Sequence, residues 1–491
     1  MRAHARERAR AIDLSLSSSR ADSSEGDLLR SAVAGVPIAL KANYCTAPPL
    51  LPSVNPTNAG SGILRGVRTP YSATVAERLY GAGAVLVGKT AMDEFAMGST
   101  TSHSVDPPCI NPYSTEETGP LSAGGSSGGS AVAVASGAVY AAMGSDTGGS
   151  VRQPAAWTGV VGLKPSYGRL SRHGLIAFGS SLDCPGIFAR HVADAALLLD
   201  VMSGEDARDP TTMRGRPAEV FPTLPLNDRT TALDANAGVK AKRGERLRVG
   251  IPEEYWVEEL AGQVVERWRE TARVLEDVGA EVVPCRMPHT RYALPTYLII
   301  ANAEASSNLA RYDGVRYGNR VEEREGGRER EGESSGKRKG REETVQPTIE
   351  EVMTATRDLG FGPEVKRRIL LGTFALSKES YKDFFLKAQQ LRALIKGDFD
   401  RCFETVDVLL TPTSPTTACT LASVKEEADP VQEYLNDVMT TGASLAGAAA
   451  ISVPQPALAG GLPVGMQLIA DRGREDVLLQ TAHVLEQLWK A

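Results

Sequence analysis

The chain has 491 residues, of which 42% are hydrophobic and 23% are charged, and its formal net charge is −6. This length is enough for one to three domains, and the composition is typical of a globular enzyme. The small negative net charge does not indicate a protein that binds nucleic acid without a partner. No apolar run is long enough to span a bilayer. Six cysteines without Cys-x-x-Cys spacing argue against a zinc site or a disulfide scaffold. We expect all six to be buried residues that only fill space in the core.

The first residues of the chain have two open interpretations. An Arg-rich start is followed by the Ser-rich tract Ser15–Ser24, and this composition with few acids is typical of an organellar presequence. The alternative is an exposed first helix of the mature domain. We therefore divide the chain into residues 1–30, a helix or presequence, and one domain over residues 31–491.

A short apolar segment near the start of this domain ends at a lysine. Val36–Leu40 are apolar or small, which predicts a buried strand ending at Lys41. Desolvation lowers the pKa of a lysine and can make it a base. Taken alone, the pattern favours a strand-end lysine whose amine reaches solvent.

The next elements are a helix over Ala73–Tyr80 and a buried strand over Ala84–Gly88. The acidic pair Asp93 and Glu94 follows. Metal binding by this pair is disfavoured because the further donors that a metal requires are not nearby in the sequence. We expect a structural turn here.

The stretch Gly119–Ser150 contains two Gly/Ser clusters around apolar segments, and Ser126 and Ser150 each lie beside glycines. It lacks the lysine of a P-loop and the glycine spacing of a dinucleotide fingerprint. A flexible linker is disfavoured because Ala131–Ala135 and Val139–Met143 are apolar and uncharged, as buried elements are.

The second half of the chain alternates between strands and helices, which indicates an α/β layer. The residues from Arg152 to Arg169 are dense in Gly and Pro, and we expect packed loops there. Residues 208–244 read as a polar surface excursion, and residues 321–344 as a disordered insertion. Further elements are predicted at Val192–Met202, Leu247–Ile251, Gly262–Asp277, Glu281–Pro284, Tyr381–Phe399, Val406–Pro412, Ile451–Pro454, Leu462–Ile469 and Arg474–Trp489.

These residues can be combined into a site for acyl transfer. None of the six histidines lies near a nucleophile elbow with an evident acid partner, which disfavours a His-based triad. The alternative is a relay in which neutral Lys41 takes a proton from Ser126, which takes one from the nucleophile Ser150. The turn at Thr147, Gly148 and Gly149 would supply N–H groups to an oxyanion.

The motifs Gly-Gly-Ser-Ser-Gly-Gly-Ser and Gly-Ser-Asp-Thr-Gly-Gly-Ser-Val-Arg-Gln-Pro-Ala resemble the amidase signature family, from about Gly35 to Gln487. The resemblance implies one α/β domain around a large mixed β-sheet with helices on both faces. It also implies a Lys–Ser–Ser triad, with Lys41 as base, Ser126 as bridge and Ser150 as acyl-ester nucleophile.

Within that family the chain is similar to the A subunits of glutamyl-tRNA(Gln) amidotransferases, on segments such as Met92–Gly98 and Phe361–Gly372. This resemblance implies that Tyr297, Arg368 and Asp437 hold a glutamine substrate. It further implies a heterotrimer with a B subunit and a small third subunit.

In such a complex the partner would use ATP and Mg²⁺ and would bind most of the tRNA, while this chain would bind no cofactor, no metal and no membrane. A eukaryotic source implies a mitochondrial location and a bacterial source a cytoplasmic one. The alternative function is a stand-alone amidase acting on a small or fatty-acid amide. A non-catalytic scaffold subunit is disfavoured because all three triad positions are filled.

Overall fold

The computed structural model describes residues 2–18, 32–51, 57–215, 220, 246–320, 347–426, 430–455 and 461–490. The predicted insertion at 321–344 and most of the excursion at 208–244 lie outside the described residues.

A single mixed sheet organises the described residues. Its strands lie in the order β2-β1-β3-β5-β4-β9-β10-β8-β6-β7. β1 pairs in parallel with β2 and β3, β6 pairs in parallel with β7 and β8, and the pairs between β3 and β8 are antiparallel. The strands are β1 Pro37–Lys41, β2 Val85–Thr90, β3 Ala141–Asp146, β4 Val161–Lys164, β5 Cys184–Ala189, β6 Arg248–Pro252, β7 Glu281–Cys285, β8 Val408–Pro412, β9 Ala449–Gln455 and β10 Val464–Ala470. The predicted α/β class with one large mixed sheet is confirmed.

Helices cover the sheet, and no helix of the described part is long and apolar enough to cross a membrane. The α-helices are α1 Arg2–Ser18, α2 Thr74–Gly81, α3 Gly128–Ala135, α4 Arg152–Thr158, α5 Val192–Met202, α6 Gly262–Asp277, α7 Ala293–Leu309, α8 Ile349–Gly360, α9 Pro363–Leu376, α10 Lys387–Thr405, α11 Leu421–Glu426, α12 Pro430–Leu435, α13 Thr441–Ala446 and α14 Glu475–Lys490. A π-helical segment, Lys382–Leu386, precedes α10.

The region expected to form Gly- and Pro-rich loops, Arg152–Arg169, contains helix α4 and strand β4 instead. Pro154 lies in the first turn of α4, where its missing N–H costs nothing. Gly159 ends the helix with a φ of 68°, a left-handed conformation that glycine adopts freely. The loop prediction was wrong because these two residues act here as helix boundary signals.

The N-terminal helix α1 packs on the domain. Ile12 is buried, and Arg8 donates a hydrogen bond of 3.0 Å to the backbone carbonyl of Tyr80 and lies over its ring. The division of the chain at residue 30 stays a prediction. Among the cysteines, Cys109 and Cys419 are only half-buried, which corrects the expectation of burial for those two.

Helices α7 and α9 approach so closely that no side chain fits between them at one position. A Cβ built on Gly372 of α9 would lie 1.9 Å from the carbonyl oxygen of Asn302 in α7. A Cβ built on Gly397 of α10 would lie 3.4 Å from the guanidinium of Arg401, which is ordinary van der Waals contact. The two glycines therefore form a matched pair of helical positions, one without room for a side chain and one with room for it.

Alanine at these two positions should change stability in opposite directions. Gly397→Ala should stabilise the fold by up to about 1 kcal/mol, because glycine is a poor helix former. Gly372→Ala should destabilise it by about 1–3 kcal/mol, since the methyl group forces the helices apart. The midpoint of urea denaturation measures both, and a stabilising Gly372→Ala would contradict the observed packing.

Candidate active site

Lys41 ends strand β1 inside a cluster of serine hydroxyls. Its Nζ atom lies 2.7 Å from Ser126 Oγ, 2.8 Å from Ser127 Oγ and 3.0 Å from Ser145 Oγ. Ser145 lies on β3, the parallel neighbour of β1, and the other two serines precede α3. The sheet pairing therefore brings the amine and the Gly/Ser loop together at the carboxyl ends of two parallel strands.

The electrostatic environment favours the neutral amine. Lys41 is fully buried, and this burial lowers its pKa to about 7, although the charges of Asp93, Asp146 and Asp183 act in the opposite direction. A neutral amine has the free electron pair that a base needs. Lys41 can thus accept a proton from Ser126 near neutral pH.

The loops that carry the two predicted catalytic serines are joined by backbone contacts. The peptide bond between Gly125 and Ser126 is cis. The N–H of Gly125 donates to the side-chain oxygen of Gln153 at 3.0 Å, and the N–H of Ser127 donates to the carbonyl of Ser150 at 3.2 Å. The structure joins Lys41 to Ser126 directly, but the hydrogen bonds of the described residues include none from Ser126 Oγ to Ser150 Oγ, so that transfer stays a prediction.

The turn before Ser150 contains backbone N–H groups that donate no hydrogen bond to a described residue. Within the described residues, the N–H groups of Thr147, Gly148, Gly149 and Ser150 have no protein acceptor. A Cβ on Gly148 would lie 2.8 Å from the hydroxyl of Tyr297, so only glycine allows this close approach. Adjacent N–H groups without acceptors at a nucleophile have the arrangement of an oxyanion hole.

Two buried carboxylates fix the shape of this turn. Asp146 and Arg152 form a fully buried ion pair at 2.8 Å, and Arg152 also donates to the carbonyl of Thr440 at 2.9 Å. Burial alone would raise the pKa of Asp146, but the charge of Arg152 holds it below its usual range. Asp183 accepts a 2.7 Å hydrogen bond from the hydroxyl of Thr147.

Two of the three residues predicted to bind substrate lie against the turn, and the third lies near Tyr297. Tyr297 on α7 contacts Gly148, and Asp437 lies so near Gly149 that a Cβ there would be 2.7 Å from its Oδ1 atom. Arg368 on α9 is buried, with its guanidinium 5.2 Å from the ring centre of Tyr434. Its Nε atom donates to Glu364 at 2.6 Å.

Asp437 is the exceptional member of this group. Its Oδ1 atom is buried and has no hydrogen-bond partner among the described residues. Burial raises the pKa of its carboxyl to about 7, and the nearby charge of Asp146 acts in the same direction. A buried acceptor without a donor is costly, which makes this atom a candidate for contact with a ligand.

Several residues of the site were not predicted from the sequence. Ser127 and Ser145 share the amine of Lys41, and their signal in the sequence is that each lies inside one of the two Gly/Ser motifs. Arg152 lies inside the second motif, whereas Asp183 has no local signal. No group of His, Cys, Asp or Glu side chains placed to hold a metal ion occurs in the described part of the chain.

Comparisons with known proteins identify the family of this chain. The model of the family "Amidase" matches residues 3–479. The A subunit of glutamyl-tRNA(Gln) amidotransferase from Chloroflexus aggregans is 48% identical over 454 residues, which is 92% of this chain and 82% of that protein. The protein of the same name from Gluconobacter oxydans is 45% identical over 98% of this chain and 86% of its own length.

A solved structure agrees with these relatives. The crystal structure of the glutamyl-tRNA(Gln) amidotransferase A subunit from Thermotoga maritima is similar to this fold with a TM-score of 0.71. It is 37% identical in sequence, and the match covers 92% of this chain and 83% of that one.

The reactivity of Ser150 should follow the protonation of Lys41. Below a pH of about 7 the amine is protonated and cannot accept a proton, so the rate of acylation should fall about tenfold per pH unit and level off above it. Labelling by phenylmethylsulfonyl fluoride, followed by mass spectrometry at Ser150, measures this rate.

Lys41→Met should abolish the labelling. The matched control is Lys89→Met, because Lys89 is a half-buried lysine whose pKa desolvation also lowers to about 7, but it donates to the carbonyl of Tyr44 instead of Ser126. Labelling that is independent of pH, or equally reduced in both variants, would refute the role of Lys41.

Proposed function

The chain belongs to the amidase signature family, and on that premise we propose that it is the glutamine-hydrolysing subunit of a glutamyl-tRNA(Gln) amidotransferase. The observation that carries the proposal is the pairing of two features on one turn. The buried Lys41–Ser126 pair lies on loops that are joined at Ser150, where N–H groups have no acceptor in the described part of the chain. Two side chains of opposite charge, the buried Arg368 and the half-buried Asp437, lie near Tyr297.

The proposed reaction begins with proton transfer through the serines. Lys41 takes the proton of Ser126, which takes that of Ser150, whose Oγ then attacks the side-chain carbonyl carbon of glutamine. The resulting oxyanion accepts hydrogen bonds from the N–H groups around Gly148 and Gly149. Collapse returns a proton to the leaving nitrogen and releases ammonia. Water then hydrolyses the glutamyl ester of Ser150 to glutamate.

The charges beside the turn suit a free amino acid. The guanidinium of Arg368 can pair with the α-carboxylate of glutamine, and the carboxylate of Asp437 with its α-ammonium. Tyr297 would line the pocket between them. A stand-alone amidase for a small or fatty-acid amide is the second candidate, but an apolar acyl chain would leave the Oδ1 atom of Asp437 without a partner.

The second half of the reaction is proposed for partner subunits. A B subunit, in a heterotrimer with a small third subunit, would activate Glu-tRNA(Gln) with ATP and Mg²⁺ and combine it with the ammonia released here. This chain has no phosphate-binding motif, which supports placing ATP and most of the tRNA on the partner. A eukaryotic source would place the complex in mitochondria, and a bacterial source would place it in the cytoplasm.

Ser150→Ala should separate the two halves of the reaction. In the reconstituted complex it should reduce glutamine-driven formation of Gln-tRNA(Gln) by a factor of about 10³ or more, because no acyl-enzyme forms. Formation driven by free ammonia should continue, since the partner does not need the serine. Glutamine-driven conversion at an unchanged rate would rule out Ser150 as the nucleophile.

Asp437→Asn should weaken binding of glutamine selectively. The neutral amide loses an ion pair with the α-ammonium, so the KM for glutamine should rise about tenfold or more, with a smaller change in kcat. The inhibition constant of glutaramate, which lacks the amino group, should stay unchanged. Arg368→Met should have the reverse selectivity, weakening glutaramate but sparing γ-aminobutyramide, which lacks the carboxylate.

Those two analogues also distinguish the second candidate function. A stand-alone amidase predicts that neither substitution changes the relative affinity of the two analogues. It also predicts hydrolysis of apolar amides without any partner subunit.

A further inference from the structure

The adjacent acidic residues Asp93 and Glu94 are buried, and the reaction described above does not use them. We propose that they are positioning residues, each holding one arm of the glutamine site: Glu94 holds the helix that carries Arg368, and Asp93 holds the segment that carries Asp437. This inference rests on the proposed function and adds the reason why two distant segments converge on the substrate.

Glu94 binds the start of helix α9. Its Oε2 atom accepts the N–H of Gly362, the residue that caps α9, at 2.8 Å. Its Oε1 atom accepts the hydroxyl of Ser61, which also donates to the carbonyl of Gly360 at 3.2 Å. A carboxylate at a helix N-terminus is favoured by the unpaired N–H groups and by the helix dipole. Glu94 therefore fixes where α9 begins.

The position of α9 sets the position of Arg368. Glu364, in the first turn of the helix, accepts from Arg368 Nε at 2.6 Å and from the hydroxyl of Tyr434 at 3.0 Å. Since both residues lie on the same short helix, a shift of its N-terminus moves the guanidinium with it. Glu94 thus acts on the carboxylate-binding arm.

Asp93 organises a loop that leads to the other arm. Its Oδ2 atom accepts the N–H of Thr101 at 2.9 Å, and its Oδ1 atom accepts the N–H of His103 at 3.0 Å. Its own N–H donates to the carbonyl of Ser126 at 3.2 Å. Asp93 therefore ties this loop to the loop that carries the bridging serine.

The loop in turn holds Glu433, which lies four residues before Asp437 on the segment of α12. Glu433 accepts from the N–H of Ser99 at 2.9 Å and contacts His103 Nε2 at 2.7 Å. Burial alone would lower the pKa of His103, but the hydrogen bond and charge of Glu433 raise it to about 9. His103 and Glu433 therefore form an ion pair at neutral pH, which anchors the ammonium-binding arm.

The backbone around the acidic pair is strained. Phe95, Ala96 and Thr101 have positive φ angles of 49°, 64° and 55°, although none of them is glycine. Such conformations cost about 1–3 kcal/mol each and persist only where the surroundings hold them. Ala59, whose carbonyl accepts the N–H of Phe95 at 2.8 Å, also has a positive φ of 49°. Strain at these residues agrees with a segment shaped for positioning rather than for stability.

The test measures inhibition constants against glutamine hydrolysis in the complex with the partner subunits. Glu94→Ala should raise the inhibition constant of glutaramate about tenfold, while that of γ-aminobutyramide changes less than about twofold. Asp93→Asn should do the reverse, because the amide has one acceptor oxygen where two N–H groups need acceptors. His103→Ala should reproduce the effect of Asp93→Asn and replaces it if that variant does not fold.

Two further variants separate positioning from general damage. Glu94→Gln should restore the affinity for glutaramate, since its amide oxygen can still accept the N–H of Gly362. Glu475→Ala is the matched control, because Glu475 is an equally buried carboxylate that accepts a backbone N–H, that of Ser166 at 2.9 Å, at the start of α14. It should leave the ratio of the two inhibition constants unchanged.

The inference is overturned if Glu94→Ala and Asp93→Asn weaken both analogues equally or neither, or if Glu475→Ala produces the same selectivity. A wild-type complex that does not hydrolyse glutamine would instead refute the proposed function. The two failures are therefore distinguishable in one set of measurements.

Discussion

The buried amine of Lys41 is the interaction on which the rest of the site depends. A lysine without water is tolerated only when its proton can be lost and its remaining donors are satisfied, and the hydroxyls of Ser126, Ser127 and Ser145 satisfy them. Ser145 lies on the parallel neighbour strand β3, and Ser126 and Ser127 lie in the loop before α3. The pairing of β1 with β3 therefore decides both the packing and the basicity of the amine.

The sequence identified the parts of the site that are local. Lys41, Ser126, Ser150 and the turn at Gly148 lie in segments whose glycine spacing or apolar flanks carry a clear signal. The strand that ends at Lys41 was predicted from its apolar run. Other contacts could not be found this way. Asp183 and Glu433 act through hydrogen bonds to residues 36 and 330 positions away, so nothing near them in the chain marks their role. Helix α4 was missed because its proline and glycine look like loop residues until their places at its ends are known.

Three ion pairs lie around the site, and Asp437 belongs to none of them. Asp146 pairs with Arg152, Arg368 with Glu364, and His103 with Glu433, so each charge keeps a partner in the low-dielectric interior. Asp437 has no such hydrogen-bonded partner within the described residues, and burial raises its pKa. An unpaired carboxylate lowers the stability of the free protein, and an ammonium group of a ligand removes that cost on binding.

The substrate proposed for this site also suits the state of Lys41. Glutamine brings one ammonium and one carboxylate, so it would neutralise Asp437 and engage Arg368 without adding net charge near the serine relay. An amide carrying only a positive charge would place an unbalanced cation near the amine and lower the pKa of Lys41 further, weakening it as a base. An amide carrying only a negative charge would raise that pKa and keep the amine protonated at neutral pH. A zwitterion leaves the pKa of Lys41 near about 7, the value at which a base works best at physiological pH. The charges of Arg368 and Asp437 and the proton transfer through the serines therefore support the same substrate.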